Sequence, residues 1–197
     1  MHLPRGIADE AAVEAARTAG KIVKCILIGD FHSKCTFAHV VPCKGLDEGR
    51  YVAKLVADDI VWLGYGELAV KADNEASLNA LIRVAIDEVR SKRSNVKITT
   101  EAPAPYEPQS NGTTEVGVRN VRGLFRTLKL CLEHRIGSFI EIEHAIIPWL
   151  LEHTFMVLKT RSRGSDGRTP RMRIRGRSFN QALMGLCEQI LYKLPTK

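Results

Sequence analysis

Two acidic residues stand where carboxylates can act on a bound cation. Asp73 follows a short stretch of alternating character, Glu67 to Ala72, and is itself followed by Asn74. In an α/β protein, a carboxylate at the C-terminal end of a strand faces the crevice in which ligands bind. Glu115 falls in the first turn of a long helical segment, just after a stretch punctuated by Pro103, Pro105, Pro108 and Gly112. A sheet whose strand ends carry acids is a sensible site for metal chemistry. Each residue also has a purely structural reading. Asp73 fits a turn, and an acid near a helix N-terminus is favoured by the helix dipole.

A second set of ligand-forming side chains is His32, Cys35, His39 and Cys43. Its spacing follows no standard zinc pattern, and the segment alternates as a strand does. The five cysteines are odd in number, scattered and without a C-x-x-C pair, which points to free thiols in a reducing compartment. The 197-residue chain has no apolar run of the roughly 18 residues that a membrane helix needs. Its first residues lack the apolar stretch of a secretory leader. The expectation is an intracellular protein, nuclear or cytoplasmic and not secreted.

The formal net charge of +7 is concentrated in one place. Lys159, Arg161, Arg163, Arg168, Arg171, Arg173, Arg175 and Arg177 lie within one segment whose single acid is Asp166, so these eight cations and one anion account for +7 and the rest of the chain is neutral. Such a cluster suits a polyanion, through phosphate neutralisation and counterion release. It equally describes a solvated linker.

The elements that must position these groups follow from periodicity. Residues 21–29 are β-branched and apolar, a buried strand, and residues 35–42 form a second one ended by Pro42. Residues 47–63 have helical spacing, broken by Gly64 and Gly66. A short strand covers 67–72, an amphipathic helix 75–90 and a brief strand 96–100. Residues 101–112 are a loop. A long helix runs from about Thr113 to Arg135 and another over about 141–160, with Pro148 as its kink or start. This is an α/β pattern.

Several stretches resemble the integrase cores of retroviruses and long-terminal-repeat retrotransposons. Tyr106-Glu107-Pro108-Gln109-Ser110-Asn111-Gly112-Thr113-Thr114-Glu115 is similar to that family's Y-x-P-Q-S-x-G-x-x-E signature. Asp73-Asn74 resembles its second-carboxylate motif, and Asp30-Phe31-His32-Ser33-Lys34 with Val40-Val41-Pro42 resembles its strand pair. Gly167-Arg168-Thr169-Pro170 and Gly176-Arg177 resemble the segment that follows the core. The likeness covers about residues 21–192, and the Pro-Gln-Ser-x-Gly-x-x-Glu string is its specific element. Between Asp73 and Glu115 lie residues 74–114, more than in the commonest retroviral spacing, and the polar turn near Ser91 to Val96 accommodates the excess.

The resemblance implies an RNase H-like fold, a mixed central sheet flanked by helices, here without an intact first strand. It implies a core over 1–160, a basic linker over 161–178 and a remnant of a C-terminal module over 179–197. It implies DNA integration by metal-dependent polynucleotidyl transfer, that is, 3′-end processing and strand transfer at a two-ion Mg2+ or Mn2+ site. Asp73 and Glu115 would be catalytic metal ligands. The third ligand stays open between Asp9 and Asp30, or is absent. Arg119 and Arg122, at i+4 and i+7 from Glu115, share its helix face and would contact DNA with the basic residues from Lys159 to Arg177. The expected partners are the element's DNA ends, target DNA and further copies of the chain. The alternative is an incomplete integrase that only binds nucleic acid. A different RNase H-like nuclease, such as a Holliday-junction or RNA·DNA hybrid enzyme, fits the Pro-Gln-Ser-x-Gly string less well.

Overall fold

The apolar runs fold into four strands, but these make two separate sheets. The computed structural model describes residues 23–72, 75–101, 112–181 and 184–188, with the side chains of 112–114 excepted. In the first sheet β1 (Cys25–Gly29) pairs antiparallel with β2 (Thr36–Val40), Leu27 opposite Ala38. Helix α1 (Tyr51–Leu63) follows. In the second sheet β3 (Glu67–Lys71) pairs in parallel with β4 (Lys97–Glu101), Ala69 opposite Thr99. The crossover between these two strands is helix α2 (Ala76–Lys92), as a parallel pair requires. Helices α3 (Gly112–Ile136), α4 (Ile146–Arg161) and α5 (Pro170–Arg175) complete the chain.

Sequence and structure agree on the kind and order of the main elements and differ at their ends. The expected helix over 47–63 begins at Tyr51. Asp47 is its cap from four residues upstream, accepting from the backbone N–H of Tyr51 and of Val52 at 2.9 Å each. It ends at Gly64, whose φ of 80° is the left-handed conformation that glycine adopts freely. Pro148 does not kink α4. It lies in the helix's first turn, where a backbone N–H has no partner within the helix.

One apolar layer serves both sheets. Val52, Ala53, Val56 and Ile60 of α1 pack with Leu81, Ala85, Ile86 and Val89 of α2 in a buried cluster. Ile26 and Ile28 of β1, Leu68 and Val70 of β3, and Ile98 of β4 rest on that cluster. On the opposite face of the first sheet, Ala38, Leu27 and Val40 pack against Val121 and Phe125 of α3 and Leu151 and Leu158 of α4. The first sheet is thus covered on both faces by helical layers, while the second rests on the α1–α2 layer with Glu67, Ala69, Lys71, Thr99 and Glu101 exposed.

Leu81 is 1% exposed at the junction of α1, α2 and the sheets. Leu81→Ala is therefore expected to lower the unfolding free energy by about 2–5 kcal/mol. A urea titration followed by far-UV circular dichroism would show this as a reduced midpoint at constant slope.

Candidate functional site

The C-terminal ends of β3 and β4 and the first turns of α3 meet at a cleft of about 1400 Å³. Glu115, Val118, Arg119 and Arg122 of α3 all line it. They lie at i, i+3, i+4 and i+7, one stripe of a helix. Lys71, Ala72 and Glu101 line it from the strand ends. Lys71 and Glu101 are register partners across the parallel pair. The expected grouping of Glu115 with Arg119 and Arg122 on one face is what the structure has.

α3 sits close to the first sheet at one point. An added Cβ at Gly117 would meet the Thr36 hydroxyl oxygen at 3.1 Å, tighter than ordinary contact. Glycine at this position lets α3 approach β2, and so fixes where its neighbour Glu115 stands relative to the strands.

Asp73 and Asp9 lie outside the described residues. The chain reaches the cleft at Ala72, immediately before Asp73. Glu101 is a carboxylate that sequence reasoning passed over. Its signal was available: an acid at the end of a short strand, directly before the Pro-rich loop.

Asp30 also borders the cleft, but its carboxylate is occupied by its own turn. Oδ2 accepts from the Ser33 backbone N–H at 2.9 Å, from the Ser33 hydroxyl and from the Tyr65 hydroxyl at 2.6 Å. Oδ1 accepts weakly from the His32 N–H at 3.4 Å. Burial by itself raises the Asp30 pKa, but the bonds from Ser33, Tyr65 and His32 outweigh it and hold the carboxyl below its ordinary value. Tyr65 is pushed up to about 12, by burial first and then by donating to Asp30. Among the described residues, no three His, Cys, Asp or Glu side chains converge as a metal site. The described donors therefore do not by themselves fit a two-ion centre.

His39 is committed elsewhere. Its Nε2 lies 2.7 Å from Asp59 Oδ2 in the buried space between β2 and α1. Burial raises the Asp59 pKa, and His39 only partly offsets this. Cys35 is fully buried, and burial pushes its thiol up to about 12.

The basic segment is divided between internal and outward-facing groups. The stretch expected as a linker contains α5, capped by the Thr169 hydroxyl accepting from the Met172 N–H at 3.2 Å. Lys159 is buried, its ammonium 4.5 Å from the Trp62 ring centre and 4.7 Å from that of Phe155. Burial lowers its pKa. Arg173 forks onto Asp166 at 2.6 and 3.0 Å and donates to the Ser33 carbonyl at 2.8 Å. Arg175 donates to the Trp62 carbonyl at 2.6 Å. Arg171 stacks on Phe179, as Arg161 does more loosely. Arg161 also donates to the Gln181 carbonyl at 3.0 Å, and Arg163 to that of Gly167 at 3.3 Å. Arg119, Arg122, Arg168 and Arg177 are exposed and make no ion pair among the described residues.

No known family profile matches this chain, and no curated protein sequence matches it. Among solved structures it is similar to the catalytic core domain of BIV integrase, at 20% identity over 76% of this chain and 84% of that one, with a TM-score of 0.47. A likeness at that score carries no argument about the site. No described helix is long and apolar enough to cross a membrane.

Asp30 has a depressed folded-state pKa. Its stabilising contribution is therefore present above the unfolded carboxylate value and is lost as pH falls through the lower folded value. Asp30→Asn is expected to cost about 1–3 kcal/mol at neutral pH and to flatten the acid limb of a stability–pH profile below about pH 4. Urea midpoints measured across that range check it. An unchanged acid limb would mean that the Asp30 turn does not carry this dependence.

Proposed function

We propose that this chain is a DNA-binding α/β module of the integrase-core type, with an RNase H-like plan. The observation that carries the reading is the α3 stripe. Glu115, Arg119 and Arg122 face one cleft at the strand ends, directly after the segment that resembles the integrase signature. Two exposed guanidiniums on a helix face, close to the ends of a parallel strand pair, can hold phosphates. Arg168 and Arg177 are further exposed guanidiniums available to a polyanion. Lys159, Arg173 and Arg175 spend their donors or their charge inside the protein and contribute less to it.

A second reading is polynucleotidyl transfer, favoured by Glu115 lining the same cleft as Glu101 and the Ala72 end of β3. In that reading Asp73 and Glu115 are metal ligands, Mg2+ or Mn2+ is the cofactor, and further copies of the chain assemble on the DNA. The third carboxylate has no assigned residue; Asp30 Oδ2 already accepts from Ser33 and Tyr65.

The two readings separate in one set of measurements. Duplex DNA is expected to bind with strong salt dependence. The double variant Arg119→Ala/Arg122→Ala should reduce the slope of log affinity against log salt by about 2. Lys159→Met should leave that slope unchanged. Absence of salt-sensitive binding would sink the proposal. Strand transfer with Mg2+ or Mn2+ that is lost in both Asp73→Asn and Glu115→Gln would establish the second reading. Binding that survives both, without strand transfer, would leave binding alone.

A further inference from the structure

The turn between β1 and β2 carries a side chain that packing inside the protein does not explain. Phe31 is 73% exposed, although Ser33 and Cys35 close by in the same turn are fully buried. A single exposed phenylalanine is ordinary on a protein surface. This one stands on a turn that is tied from several directions. The Asp30 carboxylate accepts from the Ser33 N–H at 2.9 Å, from the Ser33 hydroxyl and from the Tyr65 hydroxyl at 2.6 Å. Lys34 donates to the Asp30 carbonyl at 2.9 Å, and Asp30 to that of Cys35 at 2.8 Å. Arg173 donates to the Ser33 carbonyl at 2.8 Å. His32 meets the Tyr65 ring edge-on, with ring centres 6.1 Å apart. The Phe31 ring is thus presented to solvent from a well-held backbone.

Lys34 supplies a second, independent observation. Its φ of 62° is left-handed, a conformation that costs a residue with a Cβ and that glycine adopts freely. Backbone geometry alone therefore does not favour lysine at this position. Its ammonium lies 3.8 Å from the centre of the Phe31 ring, a cation–π contact. Lys34 is exposed and has no carboxylate partner among the described residues. Asp30 and Lys34 also border a small cavity with Val116, Gly117 and Asn120 of α3. The turn therefore adjoins the stretch of α3 that includes Arg119.

A flat apolar ring backed by an ammonium, near a guanidinium, suits one class of ligand. An aromatic face takes a nucleobase by stacking, and cations beside it take the flanking phosphates. In a duplex each base is covered by its neighbours, so an unpaired nucleotide is what offers a face to the ring. A protein partner would need a contiguous apolar patch, and the exposed neighbours of Phe31 in the turn, His32 and Lys34, are polar.

We propose that the β1–β2 turn is a binding site for an unpaired nucleotide, with Phe31 stacking on the base and Lys34 holding the adjacent phosphate. This rests on the DNA-binding reading and adds to it a preference for unpaired over paired bases.

The test uses the full chain and a set of matched DNAs. One is a blunt duplex of about 20 base pairs, and another is the same duplex with about three unpaired adenosines at one end. The last carries abasic sugars in place of those adenosines, which keeps the phosphates and removes the bases. The adenosine form is expected to bind roughly tenfold more tightly than the other two, a difference of about 1.4 kcal/mol. Phe31→Ala should erase that difference, and Phe31→Trp should keep it. Lys34→Gly should lower the slope of log affinity against log salt by about 1 for the extended duplexes. Its urea midpoint should equal or exceed that of the original chain, because glycine relieves the left-handed backbone. An adenosine extension that binds no better than the abasic one, or a preference that survives Phe31→Ala, overturns the proposal. A Lys34→Gly variant with an unchanged slope and a lowered midpoint would make Lys34 a structural residue of the turn and overturns its part. Equal, salt-sensitive binding of every DNA removes the stacking site and leaves the DNA-binding reading standing. Binding of none removes both.

Discussion

The rest of the structure depends on one constraint: the two sheets share no backbone hydrogen bonds among the described residues, so the apolar layer of α1 and α2 must hold them together. Ile26 and Ile28 come to that layer from one sheet, and Leu68, Val70 and Ile98 from the other. Side-chain burial is non-directional, whereas a ladder of backbone bonds fixes strand against strand. Residues of both sheets line the cleft, Ile26 and Ile28 from one and Leu68 and Val70 from the other. α3 packs on the first sheet, and its stripe of one glutamate and two arginines lines the cleft at the ends of β3 and β4.

The basic segment shows why net charge is a poor guide to function without geometry. Arginine carries five donors in a fixed fork, and several of these forks are used inside the protein. Arg173 ties the loop at Asp166 to the β1–β2 turn through the Ser33 carbonyl, and Arg175 ties α5 to the end of α1. The same turn holds Asp30. Thus the segment that looked like a tether in sequence secures the turn that keeps the Asp30 carboxylate in place. Lys159, packed between Trp62 and Phe155, owes its position to its hydrocarbon stem and ring contacts as much as to its charge.

What sequence revealed and what it hid divide along the range of the interactions. Periodicity over a few residues located every described strand and the long helices, and the i, i+4, i+7 spacing placed Glu115, Arg119 and Arg122 on one face. Start points were less legible, because α1 is capped by Asp47, whose loop looked like part of the helix. Asp30 resembled a strand-end carboxylate open to a ligand. That its Oδ2 accepts from Ser33 and Tyr65 depends in part on a contact between residues 35 positions apart, which no local pattern encodes. The split of the strands into two sheets was equally hidden. The same alternation of apolar residues serves a strand with two neighbours and a strand with one.

The α3 stripe also limits how an anion can approach. Glu115 stands in the first turn, where the helix dipole favours a negative charge, and it repels a phosphate brought to that end. Arg119 and Arg122 lie about one and two turns further on, at 1.5 Å of rise per residue roughly 6 and 10 Å from Glu115 along the axis. In the proposed DNA-binding reading, a polyanion without a neutralising cation at Glu115 would therefore be drawn toward the Arg122 end of the stripe. In that reading, pairing Glu115 with a cation would move the preferred position toward the strand ends. Glu115 would thus set the register of a bound backbone on the helix.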